Sequence, residues 1–513
     1  MQLKENIMFG NGFWSYAAGV GVLLLVSGGC TSHLDDLKPD PTLAIPIAYG
    51  QLSAADIIDT LGVSSRSVRV DNDGLVTLVF SARKQTKKAE EVFVIPDLTV
   101  PLLPMMTTYP VPPIQGVQVW GLEVKDGDLR IELQHPSASD VQVVVEIPSL
   151  TKGGVPFSFT ATANSHGGSV DLDTIVPLNG YTLTVNAPVP TITIQHSVLD
   201  LSTQSPVIPQ MLKATFTAIR FRYLEFSNVN PIPLEGVTDT LFIDIFDNVK
   251  GTEFWAEHPF IDLKLTNWIG GPVRVGFSNI VAYSSASNSS ITFVSPWPRL
   301  IADLPPAPTP AESSTYYYHI DSSNSNLREV LSALANEIRY SSSVMLLPSA
   351  QKRFVLDTSY VEVQAKLEVP LYGYASLILE NEKDVTAIAF DSTAIDTAVI
   401  YLSLENDFPV GVGMQVFFVD SFGVTFDSLF DAAYTPVISP AVVLLDGTVQ
   451  QRGRSFLKIP LGRDRVRRLH RLHKVRFRAQ LHMADPTYPD KSVKIFEDYT
   501  LDVQLSLIVN GRL

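Results

Sequence analysis

The chain has little cysteine: Cys30 is the only one among 513 residues. A single cysteine excludes an intramolecular disulfide, a CxxC redox pair and a zinc site built from cysteines. HExxH, GxSxG, Walker and strand-linked GxGxxG motifs are also missing, so no zinc-protease, serine-hydrolase or phosphate-cradle signature is present. We therefore expect a non-enzymatic protein with no catalytic residue, cofactor or metal. A hydrolase that uses two carboxylates stays open, because such a pair leaves no sequence motif.

Basic residues are outnumbered by acidic ones. The 53 Asp and Glu against 38 Lys and Arg give a net charge of −15, with a pI near 5.0. Phosphate binding needs a positive field, so nucleic acid is excluded as a general partner. The length exceeds what one hydrophobic core supports, and indicates about three domains.

The N-terminus lacks an apolar run long enough to cross a membrane. Lys4 precedes an apolar stretch, Ala17 to Val26, which is followed by small residues and Cys30. A spanning helix needs about 20 apolar residues, whereas a short run ending in small residues is typical of a signal peptide. The sequence predicts a signal peptide over residues 1–29.

Small residues followed by cysteine resemble the end of a bacterial lipoprotein signal. The resemblance implies that Cys30 is acylated and becomes the first mature residue, although Ser27 stands where these signals usually have leucine. Ordinary cleavage or a chance cysteine are the alternatives. We expect residues 30–45 to carry the lipid and form a polar tether, and the protein to lie on the periplasmic face or the surface of the outer membrane. Asp35 and Asp36 resemble a surface-export signal, and an ordinary solvated linker would look the same.

Short strand-like segments dominate the rest of the chain. Three stretches share a strand, a turn and a Val-rich second strand, starting at Leu129, Ile261 and Ile400. The last two carry Asn267 and Asn406 at the turn, where the first has Gln134. The spacing of the starts is that of a domain, which predicts related β-sandwich modules. Unrelated antiparallel hairpins would give the same pattern.

The expected fold is mainly β: tandem immunoglobulin-like antiparallel β-sandwiches with a few short helices. The predicted segments are an N-terminal β region with the first module over 46–205, a second module over 206–303, a Pro-rich linker over 304–315 and a third module over 316–513. In the third module, Leu327 to Ile338 has the spacing of an amphipathic helix with a capping box at Asn326.

A family resemblance rests on the text IPSLTKGGVPF at 147–157, DTLFIDIFDN with IDLKLTNWIGGPVRV, and LENDFPVGVGMQVFFVDSFG. These stretches resemble uncharacterised Bacteroidota outer-membrane or surface lipoproteins, and the repeated strand pair is similar to the LEA-type-2 (WHy) β-sandwich. The resemblance implies sandwich modules in the cell envelope, and brings no catalytic residue.

The chain also resembles exported Bacteroidota proteins in repeating Asp, then Ser or Thr, then a small or aliphatic residue, which is their O-glycosylation sequon. Ordinary turn chemistry produces the same tripeptide. The candidate acceptors are Thr60, Thr174, Thr240, Ser392, Thr397 and Ser428.

Three tryptophans, Trp255, Trp268 and Trp297, are candidate ligand-binding aromatics. Exposed rings stack on sugars, which would make the protein a surface glycan-binding protein. Packing inside and between modules is the alternative, because large rings are mostly buried.

The strongest local anomaly in charge is the segment 452–478, with eleven Lys and Arg and a single acid, Asp464. Val466, Leu469 and Leu472 fall on one helical face, so a basic surface would surround a buried seam. An anionic lipid or acidic partner would fit it, and so would a solvated face that offsets the acidic remainder. The residues of this possible patch are Arg463, Arg465, Arg467, Arg468, Arg471, Lys474, Arg476 and Arg478.

These observations favour an envelope lipoprotein that presents β-sandwiches for binding or scaffolding, and that forms a subunit of an outer-membrane complex. Its expected partners are the membrane, through the lipid, and an envelope protein or a glycan.

Overall fold

The computed structural model describes residues 42–54, 68–185, 189–234, 236–243, 246, 250–285, 287–294, 300–384, 395–431, 435–444, 448–482 and 492–511. Within these ranges the chain is mainly β and its sheets are antiparallel, which confirms the predicted fold class. The helices are short: α1 (Ala89–Val92), α2 (Leu327–Ser332), α3 (Arg463–Arg468) and a 3-10 turn, Leu469–Arg471. None of the described helices has the length and hydropathy of a membrane span.

One eleven-stranded sheet, the N-terminal sheet, is built mainly from the first half of the chain. Alternating residues of its strands are buried and contribute to the core, for example Leu129, Ile131 and Leu133. Its strands are β4 (Leu98–Pro101), β6 (Val117–Pro136), β7 (Val141–Lys152), β8 (Val155–Ala163), β9 (Ser165–His166), β10 (Ser169–Pro177), β11 (Thr182–Thr184), β13 (Gln195–Asp200), β14 (Ser205–Pro206), β15 (Met211–Asn228) and β25 (Ser349–Leu356). A separate pair joins β5 (Thr108–Pro110) to β12 (Thr191–Thr193).

Two sheets form the middle sandwich, and Leu263, Phe277 and Val363 line the apolar interior between them. One sheet has the order β2 (Val68–Val70), β3 (Val76–Gln85), β26 (Val361–Pro370), β19 (Phe260–Asn267), β23 (Ser314–Ile320). The other contains β16 (Ile232–Leu234), β17 (Thr238–Phe242), β20 (Val273–Ser284), β21 (Ser289–Thr292), β22 (Leu300–Leu304) and β24 (Glu337–Leu346).

The C-terminal sandwich combines a four-stranded with a seven-stranded sheet. The first has the order β1 (Thr42–Ser53), β37 (Thr500–Gly511), β28 (Ile395–Asn406), β34 (Gly453–Leu461). The second contains β18 (Lys250–Ala256), β27 (Tyr372–Asp384), β35 (Lys474–His482), β29 (Gly411–Val419), β30 (Thr425–Ser428), β31 (Thr435–Ile438) and β36 (Val493–Lys494). A small pair joins β32 (Val442–Val443) to β33 (Val449–Gln451).

The sheets do not follow the predicted segment boundaries, because strands from distant parts of the chain pair with one another. β3 pairs with β26 in the middle sandwich, although the two lie almost 280 residues apart. β25 joins the N-terminal sheet, and β18 joins the C-terminal sandwich. β1 belongs to the C-terminal sandwich, so residues 42–45 of the predicted tether are strand. Periodicity identifies strands but carries no information on their partners, and this explains the difference.

The Pro-rich segment predicted as an inter-module linker lies inside the middle sandwich. It connects β22 to β23, which belong to opposite sheets of that sandwich. Ala307 within it is 3% exposed, and its N–H donates to the carbonyl of Ile269. The prolines therefore form a fixed crossover, since they need no sheet partner for an N–H that they lack.

The three related stretches are strand–turn–strand units, as predicted, but they are arches and not hairpins. In each unit the two strands do not pair with each other: β6 and β7, β19 and β20, and β28 and β29 each find other partners. In the last two units the strands belong to opposite sheets of one sandwich.

A buried asparagine fixes two of these arches. Asn406 is 1% exposed; its Nδ2 donates to the carbonyls of Phe408, Val410 and Ser439, and its Oδ1 accepts the N–H of Phe408. Asn267 is fully buried and does the same, donating to Gly271 and Pro305 and accepting from Ile269. Each carboxamide thus satisfies backbone groups that a tight turn would otherwise bury without a partner.

The first arch lacks this asparagine, as its sequence indicated. Ser137 and Ser139 bond to one another there, and Ser139 donates to Asp200. A related asparagine, missed in the sequence, ends β15: Asn228 is 1% exposed and its Nδ2 donates to the carbonyls of Asn230 and Leu347 before the chain enters β16. Unlike Asn267 and Asn406, its Oδ1 accepts no hydrogen bond from the turn.

The amphipathic helix predicted from Leu327 to Ile338 is shorter than expected. α2 ends at Ser332, Leu334 has a positive φ of 54°, and Ile338 lies in β24. Asn326 forms no side-chain cap, because its carboxamide bonds to the backbone of Thr292 and Val294 instead. The residues that follow α2 form β24, which pairs with β20 and β17, so strand pairing overrides the helical spacing of the sequence.

We predict that Asn406→Ala destabilises the C-terminal arch by about 3 kcal/mol, because buried carbonyls and an N–H lose their partner. Hydrogen exchange of peptides from β28 and β29 should accelerate. Asn72→Ala, at an exposed turn, is the matched control and should change stability by less than about 0.5 kcal/mol. Unchanged exchange in the Asn406 variant would contradict the role assigned to the carboxamide.

Candidate functional site

One end of the C-terminal sandwich brings together two of the sequence-predicted features, the tether and the basic segment. In the four-stranded sheet, Leu43, Val509, Ala398 and Leu461 lie side by side at that end. The predicted tether joins the structure there at Thr42, and the basic segment leaves it after Leu461. We call this region the tether-proximal end.

The basic segment forms α3 and the 3-10 turn, which cross from β34 to β35 between the two sheets. Of the predicted seam, Val466 on α3 is fully buried, and Leu469 and Leu472 are partly buried. α3 packs against β28. The eight predicted patch residues are therefore close together, since Lys474, Arg476 and Arg478 follow on β35.

Acids from other parts of the chain meet much of this basic surface. Asp427 forms ion pairs with Arg465 and Arg468 at 3.1 and 3.2 Å, and Asp420 with Arg471 at 3.0 Å. On the β35 side, Glu382 lies 2.5 Å from Arg476. Sequence reasoning missed these acids, because they belong to strands that only the fold brings beside the basic segment.

The remaining patch residues differ in their surroundings. Lys474 lies 3.9 Å from Asp384, and the guanidinium of Arg478 lies over the ring of Phe417 at 5.5 Å. Arg463 and Arg467 are exposed on α3. Over part of the patch, the basic side chains are therefore offset by acids of the same protein. The exposed side of α3 remains accessible to a partner.

The β29–β30 hairpin tip is tied to the basic segment through Asp420. The Asp420 Oδ1 accepts the N–H groups of Phe422 and Val424, both at 3.0 Å, while Oδ2 meets Arg471. The pKa of Asp420 is lowered, chiefly by the backbone hydrogen bond from Val424 and also by the hydrogen bond from Phe422 and by Arg471. Burial acts in the opposite direction and is outweighed. Arg471 also lies over Phe426, 5.1 Å from the ring centre, so the hairpin and the 3-10 turn are held together.

A polar cleft of about 700 Å³ lies at the opposite end of the C-terminal sandwich, next to the middle sandwich. Its volume is in the range of small-molecule sites. Its carboxylates are those of Asp73, Asp407, Glu497 and Asp498, and Arg452 lies among them.

The cleft differs from the aromatic-lined acid pair that would indicate a glycosidase. Phe496 and Tyr499 line it but are only 5% and 1% exposed. Asp407 is 2.7 Å from Arg452 and accepts a hydrogen bond from Thr500, so its carboxylate is already bound within the protein. No group of His, Cys, Asp and Glu in the described part of the chain could hold a metal ion.

Two of the candidate ligand aromatics lie on different elements of the fold. Trp255 on β18 is half-buried, stacks beside Tyr374 and has Arg328 over its ring at 4.9 Å. Trp268 lies in the arch after β19, beside Tyr360. Trp297 lies outside the described residues.

The predicted glycosylation acceptors are dispersed. Thr174 and Thr240 are partly exposed on β10 and β17, and Thr397 lies on β28. Ser428 donates its hydroxyl to the carbonyl of Phe430, which leaves that oxygen engaged. Thr60, Ser392 and the predicted lipidation residue Cys30 lie outside the described residues.

No family model and no curated protein matches the chain. Among solved structures it is similar to a "putative secreted protein" from Parabacteroides distasonis, at 10% identity and a TM-score of 0.38, over 92% of this chain and 100% of that one. An infectious bursal disease virus structure follows at 8% identity and a TM-score of 0.14, over 88% of this chain and 82% of that one. At these scores the likeness carries no argument about function. The LEA-type-2 resemblance stays a prediction.

We predict that Asp420→Asn loosens the hairpin tip at neutral pH. The folded state lowers the pKa of Asp420, so its stabilisation is complete above the ordinary value of 3.8 and is lost as the pH falls through the lowered value. Hydrogen exchange of the peptide covering 419–426, corrected for intrinsic rates, should differ between variant and wild type at pH 7 and converge in acid. Asp384→Asn, whose side chain is 80% exposed, is the control. A difference that does not depend on pH would refute the assignment.

Proposed function

We propose that the protein is a non-enzymatic cell-envelope lipoprotein, held on the outer membrane by acylated Cys30, which presents its β-sandwiches for binding or scaffolding in an outer-membrane complex. The observation that carries the proposal is the position of β1. This strand begins twelve residues after Cys30 and pairs with β37 along its whole length.

This pairing supports an anchoring role. Terminal residues are often poorly ordered unless they are tied down, for example by a strand in a sheet. Here the chain passes from the predicted lipid site, through the polar residues 31–41, directly into the C-terminal sandwich. Anything attached to Cys30 is thus coupled to the folded body through eleven strand pairs.

The scaffolding part of the proposal follows from the way the chain is interleaved. β3, β18 and β25 each leave their sequence neighbours to complete a sheet elsewhere. Such exchange fixes the sheets relative to one another, because strand hydrogen bonds cross between segments. Sites built on strands held in this way are positioned more precisely for a partner than sites on loops.

The anchor is tested by metabolic labelling with a palmitate analogue. Cys30→Ala should abolish the label and move the protein out of the membrane fraction, because no other cysteine exists to be acylated. Thr31→Ala, beside the cysteine, is the matched control and should keep both. A label that persists in the Cys30 variant would overturn the proposed anchor.

The scaffold is tested by purification from detergent-solubilised membranes. We expect wild-type protein to recover an envelope protein in constant ratio over successive purifications. Recovery of the chain only as a free monomer would contradict the scaffold while leaving the anchor unaffected.

A further inference from the structure

An exposed apolar tip lies at the tether-proximal end. Phe422 is 89% and Val424 57% exposed, and both belong to the turn between β29 and β30. The turn itself is well fixed, by the Asp420 carboxylate and by the positive φ of 78° at Gly423. A fixed turn that holds an aromatic and an aliphatic side chain in water exposes apolar surface, and burial of that surface against a partner would be favourable.

Positive charge lies beside the tip. Arg471 binds Asp420 at its base, and the side chains of Arg471 and Arg468 are each 45% exposed. Segment 463–471 contains five arginines and one acid, Asp464. Asp427 pairs with Arg465 and Arg468, and Asp420 pairs with Arg471, while Arg467 is exposed on α3. The surface beside the tip therefore keeps an excess of positive charge, although the whole chain carries −15.

The tether sets how far this end lies from Cys30. The eleven residues 31–41 span at most about 40 Å when fully extended. Thr42 and Leu461 lie at the same end of a sheet, three strand spacings apart, or about 15 Å. An acyl group on Cys30 would hold the basic segment and the hairpin tip near the bilayer.

We propose that the tether-proximal end is a membrane-docking face for anionic lipid. Phe422 and Val424 enter the boundary between headgroups and acyl chains, and the arginines of α3 and the 3-10 turn bind lipid phosphates. This inference rests on the proposed lipid anchor, and it adds a second attachment that orients the sandwich on the membrane.

Physical chemistry favours this occupant. Apolar side chains flanked by arginine match the layered polarity of a bilayer surface, where hydrocarbon lies beneath negative charge. A single attachment through Cys30 would not fix how the protein is oriented, whereas a second contact at the same end selects one orientation. The opposite end, with its acidic cleft, then faces away from the membrane.

The test uses the mature chain with Cys30→Ser, which has neither lipid nor any other cysteine. Phe422→Cys then provides a single site for an environment-sensitive dye. Phe456→Cys is the matched control, because Phe456 is 62% exposed on β34, away from the tip. The probes are vesicles of phosphatidylcholine alone and vesicles in which about a third of the lipid is phosphatidylglycerol.

We expect the dye at position 422 to shift to the blue on the anionic vesicles, and the dye at 456 to stay unchanged. Unlabelled Phe422→Ser with Val424→Ser, and separately Arg467→Glu, should bind about tenfold more weakly in co-sedimentation. Binding should weaken with salt. Phe456→Ser should bind as the parent does.

Absence of vesicle binding, or an equal response at positions 422 and 456, would overturn the docking face. The outcome is separable from that of the anchor, because this chain carries no lipid. Labelled Cys30 without vesicle binding would remove only the docking face. Vesicle binding with an unlabelled Cys30 would remove the anchor and leave the surface.

Discussion

The arches of this protein depend on one requirement, that backbone groups in a buried turn find a hydrogen-bond partner. Asn267 and Asn406 meet it with a single carboxamide each, which accepts from the second residue after it and donates across the turn. The bonds to Pro305 and Ser439 also reach segments far along the chain. The same groups therefore close the turn and position the strands on either side of it in opposite sheets.

Much of the architecture could be predicted from the sequence. Alternating apolar positions and turn residues gave a mainly β fold, the strand–turn–strand units and the asparagines in two of them. The basic segment with its buried Val466 was also recognisable, because its spacing is helical. These features are local, and local patterns are what a single sequence displays.

Strand partners and site geometry could not be predicted in this way. Nothing in the spacing of β3 indicates that β26 lies beside it, and this pair crosses the predicted boundaries at 206 and 304. The role of Asn228 was not predicted, because it ends a long strand, β15, outside the three related stretches found in the sequence. Asp420 and Asp427 were likewise missed: their partners lie about 40 to 50 residues away, and only the folded sheet brings these charges together.

The pairing of β1 with β37 has a mechanical consequence. β1 lies at the edge of its sheet, and its first residue, Thr42, is the one nearest the tether. A pull on the tether acts along the strand, perpendicular to the hydrogen bonds of an antiparallel pair. The hydrogen bonds from Thr42 to Ser53 would share that load and would not break one at a time. β37 therefore holds β1, and with it the attachment point of the tether, against such a pull.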